Sequence, residues 1–199
     1  MIHRFHRYAL ASFLVFATTC FADFTAAQQI ETYFSPRGGA AVAIITELSK
    51  ATTSVDVAAF QLTHPKLAEA ILDAHQRGLA VRVIVDRSQE SKSATQPGRL
   101  RGRGCPIRTD AFEKLQHNKY AVIDGRTTIT GSYNWSENAE NRNAENLIII
   151  SDVTTAKAFA DDFEHHWSHS RPYIPGDVPG PKPFSPRAFS NPLHPGPRN

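Results

Sequence analysis

The ten residues from Gln116 to Gly125 constrain this chain more than any other stretch. Gln116-His117-Asn118-Lys119 leads into the apolar run Tyr120 to Ile123, which stops at Asp124-Gly125. Asp-Gly between two β-branched runs is the strongest short-range hairpin signal, so Thr127 to Ser132 is predicted to return beside the first strand. Strand side chains two positions apart share a face. His117 and Lys119 therefore share one face, with Tyr120 and Val122 on the other, and the return strand brings Ser132 and Asn134 towards the first pair. An imidazole, an ammonium, a hydroxyl and an amide gathered in one place suit a phosphate, which needs a nucleophile or acid, a cation and neutral donors.

The surrounding pattern alternates strands and helices. Ile30 to Phe34, Val55 to Phe60, Ala80 to Asp86 and Leu147 to Ser151 read as strands. Gly39 to Lys50 has helical period, and His64-Pro65 opens a helix through Arg77 with Gly78 just past its end. Thr154 to about His166 reads as a closing helix. This alternation predicts one α/β domain, a layered sandwich with a mixed, largely parallel central sheet flanked by helices. No internal repeat interrupts it.

The ends differ in character from the middle. Residues 1–22 are basic at Arg4 and Arg7, apolar from Tyr8 to Phe16 and then small, the pattern of a secretory signal peptide. A retained membrane anchor is the alternative, although the apolar core is short for a spanning helix. Residues 23–169 make the predicted domain. Residues 170–199, rich in proline, are predicted to be a tail that buries no core. With the leader removed only Cys105 remains, so an intramolecular disulfide is excluded and a packing role is expected. The chain's net charge of +3 lies in its ends. The leader holds two surplus positive charges and the tail three, which leaves the middle roughly two negative. Any basic surface must then be local. Arg87, Lys92, Arg99, Arg101, Arg103 and Arg108 stand against the single Glu90, and this run reads either as a phosphate-tracking rim or as a solvated face.

The pattern His-x-Lys-x-x-x-x-Asp-Gly followed by Gly-Ser-x-Asn resembles the HKD motif of the phospholipase D superfamily. Asn143-Ala144-Glu145-Asn146 before the apolar run Leu147 to Ile150 is similar to a segment of its small, single-motif bacterial endonucleases of the Nuc type. The strands Val55 to Phe60 and Val81 to Asp86 also resemble that subfamily, so the likeness runs from about Glu31 to Trp167.

The resemblance implies a chemistry and an assembly. Two HKD motifs meet at one site in that family, where one His forms a phosphohistidine and the other protonates the leaving group. With one motif per chain it implies a homodimer with His117 of each subunit at a two-fold axis. Lys119 and Asn134 would hold phosphoryl oxygens, Ser132 would assist, and Glu145 would orient a His through its far nitrogen. Asp124 lies seven residues along the strand from His117 and is assigned a structural part at the hairpin end. No cofactor is expected, and no metal ligands: His165 and His169, one helical turn apart, are read as helix-end charge rather than as ligands. An exported, metal-independent nuclease acting on DNA or RNA is the leading expectation, with Arg99, Arg101 and Arg103 as its rim. A phospholipid hydrolase of the same superfamily and a non-catalytic nucleic-acid binder are the alternatives. Capping of a helix near Trp135 is the competing part for Ser132 and Asn134.

Overall fold

A computed structural model describes residues 29–91 and 96–176. In chain order the elements are β1 (Gln29–Ser35), α1 (Ala40–Lys50), β2 (Ser54–Ala59), α2 (Pro65–Gln76), β3 (Ala80–Asp86) and α3 (Gln96–Gly102). There follow β4 (Ile107–Asp110), β5 (Lys119–Ile123), β6 (Thr127–Gly131), α4 (Glu137–Asn141), β7 (Glu145–Ser151), α5 (Val153–His169) and β8 (Arg171–Pro172). The strands form one sheet in the order β1-β7-β6-β5-β2-β3-β4-β8, which puts the Asp-Gly hairpin at its centre.

The hairpin turn is of the primed kind. Asp124 and Gly125 both have positive φ, 54° and 61°, and the Arg126 amide donates to the Ile123 carbonyl at 3.0 Å. Alternation along β5 then divides its side chains. Ala121 and Ile123 join the main core under α1 and α2, with Val57, Val83 and Ile149. Tyr120 and Val122 face a smaller core under α5, with Ala58, Ile84 and Phe163. The molecule is therefore helix, sheet, helix in three layers.

The mixed sheet flanked by helices is as expected, but its balance is not. Only β2–β3 and β3–β4 are parallel neighbours; the other five pairings are antiparallel. The reason is connection length. The tight turn between β5 and β6 permits only an antiparallel pair, whereas β2, β3 and β4 are joined by crossovers that carry α2 and α3.

Three other expectations change. Ile107–Asp110 is a buried strand inside what reads as a basic loop; with one apolar residue in four it has no apolar signature. β7 begins at Glu145, two residues earlier than its apolar run. The domain does not end at residue 169. Arg171 and Pro172 pair with β4, Tyr173 is buried, and Arg171 donates to both oxygens of the buried Glu90 at 2.9 and 2.6 Å. A counter-charge that meets its partner 81 positions away leaves no local trace. Residues 1–28, with the predicted leader, and 177–199, most of the predicted tail, lie outside the described residues. Cys105 packs in the main core, where burial pushes its thiol up to about 12.

Candidate active site

The register brings the C-terminal ends of β1, β2, β3, β4 and β6 together with the N-terminal ends of β5 and β7 at one end of the sheet. His117 lies just before β5 at this end and is exposed. Its ring packs on Phe60, centroids 4.4 Å apart, and the Phe60 amide donates to the Asn118 carbonyl at 2.9 Å. The segment entering the strand is anchored by Asp86 at the end of β3, whose Oδ2 accepts from the Gln116 amide at 2.9 Å.

Lys119 stands opposite Ala59 and turns its ammonium back, donating to the His117 carbonyl at 2.7 Å and lying 3.1 Å from Nδ1 of the same ring. An ammonium has only donors, so Nδ1 must accept. In that tautomer the ring carries its proton on Nε2, whereas attack through Nε2 requires the proton on Nδ1. Burial holds Lys119 below the ordinary lysine range, and the Glu145 carboxylate opposes that shift only in part.

Across β6 and β7 the second half of the motif is locked. Ser132 donates to Glu145 Oε2 at 2.6 Å and accepts from the Asn146 amide at 3.1 Å. Asn143 donates to Glu145 Oε1 at 2.9 Å. Gly131 makes this possible: a Cβ there would lie 2.3 Å from the Asn146 carbonyl oxygen, at a φ of 145° that favours glycine. Within one chain no hydrogen bond joins Glu145 to His117; Glu145 orients Ser132. Its carboxylate retains further acceptor capacity.

Asn134 follows at the end of the return strand, with its buried Oδ1 lacking a hydrogen-bond partner. Helix capping is done by Ser136, whose hydroxyl accepts from the Ala139 amide at 3.2 Å, so neither Ser132 nor Asn134 has that part.

Asp124 sits at the opposite end of β5. Its carboxylate accepts from the amides of Thr52, Thr53 and Ser54 at 2.8 to 3.2 Å and from the hydroxyls of both threonines. Burial alone would raise it, yet these donors hold it far below the ordinary carboxylate range.

The helix that carries the arginine run leads away from the site end. α3 starts at the site end, where the Gln96 amide donates to the Leu62 carbonyl, and runs back towards His75 near the end of α2. Arg99 pairs with Glu69 on α2, while Arg101 and Arg103 are carried away from His117 with the helix. Among the described residues, exposed cations on connections or helix starts at the site end include Arg37, Lys66, Lys114 and Arg142.

A second cluster was not foreseen. His166 and His169, not His165 and His169, turn inward onto the buried Asp110, with Glu113 beside them. The helical phase of α5 decides which pair faces in. Burial opposes a charged His166, but the Asp110 carboxylate outweighs it and raises His166 above its ordinary value.

Residues 44–167 match the family described as "Cardiolipin synthase, PLD-like domain". The chain belongs to this phospholipase D-like family. Among curated relatives of the phospholipase D-like chain is the mitochondrial cardiolipin hydrolase of Xenopus tropicalis, 38% identical over 125 residues, which are 63% of this chain and 60% of that protein. The human protein of that name is 35% identical over 138 residues, 69% of this chain and 55% of that one. Phospholipase D of Rickettsia prowazekii is 30% identical over 134 residues, 67% of this chain and 65% of that one. The chain thus spans about three fifths of the length of these relatives. Among solved structures, Nuc from Salmonella typhimurium, a phospholipase D family member, superposes with a TM-score of 0.71 at 29% identity, covering 74% of this chain and 99% of Nuc. NucT from Helicobacter pylori gives 0.68 at 24% identity, over 73% of this chain and 99% of NucT, a likeness of fold. This chain is therefore a Nuc-type phospholipase D-like protein in fold and extent.

Proposed function

We propose that this chain is an exported, metal-independent phosphodiesterase that cleaves nucleic acid through a phosphohistidine in a homodimer. The observation that carries the proposal is an exposed His117 at the sheet end that also holds Lys119, Ser132, Asn134 and Glu145. Covalent phosphodiester cleavage needs a nucleophile and an acid, and one chain supplies one imidazole. In a symmetric dimer, His117 of one protomer attacks phosphorus. A P–N bond forms, the P–O bond to the leaving alcohol breaks, and the partner subunit's His117 gives that oxygen its proton. The same partner ring then takes a proton from water, whose oxygen attacks phosphorus and releases the first His117. The attacking ring needs Nδ1–H held by an acceptor, and Glu145 is the carboxylate at hand. Lys119 and Asn134 stabilise the non-bridging oxygens.

Nucleic acid is favoured as substrate by Arg37, Lys66, Lys114 and Arg142 around the site end, because phosphate contacts supply sequence-independent affinity. Phospholipid is the second reading. Phe112 and Leu115, 45% and 47% exposed, lie on the segment leading into His117, and Phe34 at the end of β1 is 64% exposed. An apolar rim suits a lipid surface, and the curated relatives carry lipid-hydrolase names. Export rests on the leader pattern of residues 1–22. The test is an assay in excess EDTA on plasmid DNA, single-stranded RNA and cardiolipin vesicles. Cleavage of DNA or RNA is expected. Conversion of cardiolipin to phosphatidic acid and phosphatidylglycerol with both nucleic acids intact would move the assignment to lipid, and a requirement for added divalent metal would end the phosphohistidine scheme.

A further inference from the structure

We propose that Asp110, Glu113, His166 and His169 bind one divalent transition-metal ion, Zn2+ foremost, which latches the segment leading into His117 to helix α5. One donor atom from each residue lies within 4.8 Å of all the others. Asp110 Oδ2 is 2.8 Å from His166 Nδ1 and 3.2 Å from His169 Nε2. Glu113 Oε2 is 3.8 Å and 3.6 Å from the same two nitrogens. A tetrahedral Zn2+ with arms of ~2.0–2.1 Å has edges of ~3.3 Å. The four separations straddle that edge, so small side-chain shifts convert the cluster into a coordination shell.

Two further observations point to a cation rather than to ion pairing alone. Glu113 Oε2 is buried and has no hydrogen-bond partner, although it is aimed at both rings. A buried carboxylate oxygen left in that state is costly, and a metal would satisfy it. The Asp110 side chain is fully buried, and two carboxylates with two neutral imidazoles balance the charge of a divalent ion. Two nitrogen and two oxygen donors suit Zn2+ among the common divalent ions.

The outer contacts also fit. With Nδ1 on the metal, His166 keeps its proton on Nε2, which lies 3.7 Å from Asp162 Oδ1. A carboxylate behind a ligating imidazole fixes its tautomer. Asp162 is itself held by the Tyr120 hydroxyl at 2.8 Å. The spacing is regular: both pairs, Asp110 with Glu113 and His166 with His169, are three positions apart.

The latch would act on the active site by position only. Asp110 Oδ2 also takes a long contact, 3.5 Å, from the Gln116 side chain, and Gln116 Oε1 accepts from the Asn118 amide at 2.9 Å. Asn118 separates His117 from Lys119 in the chain. Ion binding at the cluster thus stiffens the backbone that presents both. None of the four residues touches His117, so the ion takes no part in the phosphoryl chemistry proposed above.

The test uses the untagged full chain, stripped with EDTA, dialysed and titrated with Zn2+. One equivalent is expected to bind, with a rise in Tm of ~5 °C at saturating metal. Co2+ in place of Zn2+ should give the intense visible bands of a tetrahedral site. Glu113→Gln and His169→Gln, both at partly exposed side chains that tolerate change, should fold normally by circular dichroism and lose ~100-fold or more in Zn2+ affinity. No retained Zn2+, or equal affinity in both variants and the parent, would overturn the proposal and leave Asp110 and His166 as a simple ion pair. Metal content is read independently of turnover, so this outcome stays separate from that of the nuclease assay.

Discussion

The two ends of strand β5 hold the His-x-Lys and Asp-Gly parts of one sequence motif, and they do opposite things. At its start, His117 is exposed and Lys119 is held by contacts to His117 itself, leaving Nε2 open to a substrate. At its finish, Asp124 takes amide and hydroxyl donors from three consecutive residues, Thr52 to Ser54, and pins the hairpin to the loop before β2. One end leaves binding capacity unspent and the other saturates it. The motif is therefore a reactive pair and a structural clasp joined by a strand.

That contrast makes distinct expectations for each end. His117→Ala should lower phosphodiesterase turnover in EDTA by ~10³-fold or more while thermal unfolding stays within about a degree of the parent; substantial residual turnover would remove His117 from the chemistry. Lys119→Ala should cost ~10²-fold in kcat, as the loss of one charge-stabilising donor does, again with little change in Tm. At the far end the pattern should reverse. Asp124→Asn should lower stability by ~2 kcal/mol in denaturant unfolding, discounted for its partial exposure, with kcat close to the parent at low temperature.

The Asp124 variant also has a pH signature. The folded carboxyl titrates well below its unfolded value, so its contribution is present above the ordinary carboxylate range, near pH ~4, and is lost as pH falls towards the folded value. The stability gap between parent and Asp124→Asn should be flat from neutral pH down to that range and shrink below it. A gap that widened in acid would contradict the clasp. The smallest effect belongs to the arginines. Arg101→Ala with Arg103→Ala should change DNA affinity by less than ~2-fold, whereas Lys114→Ala with Arg142→Ala should flatten its salt dependence, each phosphate contact contributing a slope of about one.

The legible parts of the site were those set by neighbours in the chain. Asp-Gly dictates a tight turn, and two-residue alternation sends Tyr120 and Val122 one way and Ala121 and Ile123 the other. Asn143 and Asn146, which hold Glu145 and Ser132, stand in the quoted segment but had no part assigned; Asn143 shares the face of Glu145 by the same alternation. A count of charges carries no direction, and α3 leads the later members of the arginine run away from the site end. β4 was invisible because its burial comes from neighbours on both sides rather than from its own hydrophobicity.

By itself the amino-acid order determined the hairpin, the pairing of an imidazole with an ammonium, and the alternating α/β plan, because each depends on contacts within a few residues. Only the tertiary structure decided that Glu145 meets Ser132 rather than its own His117, that Arg171 neutralises Glu90, and that Asp110 faces His166 across 56 positions. Such pairings depend on helical phase and strand register accumulated over the whole chain, and no local window holds that sum.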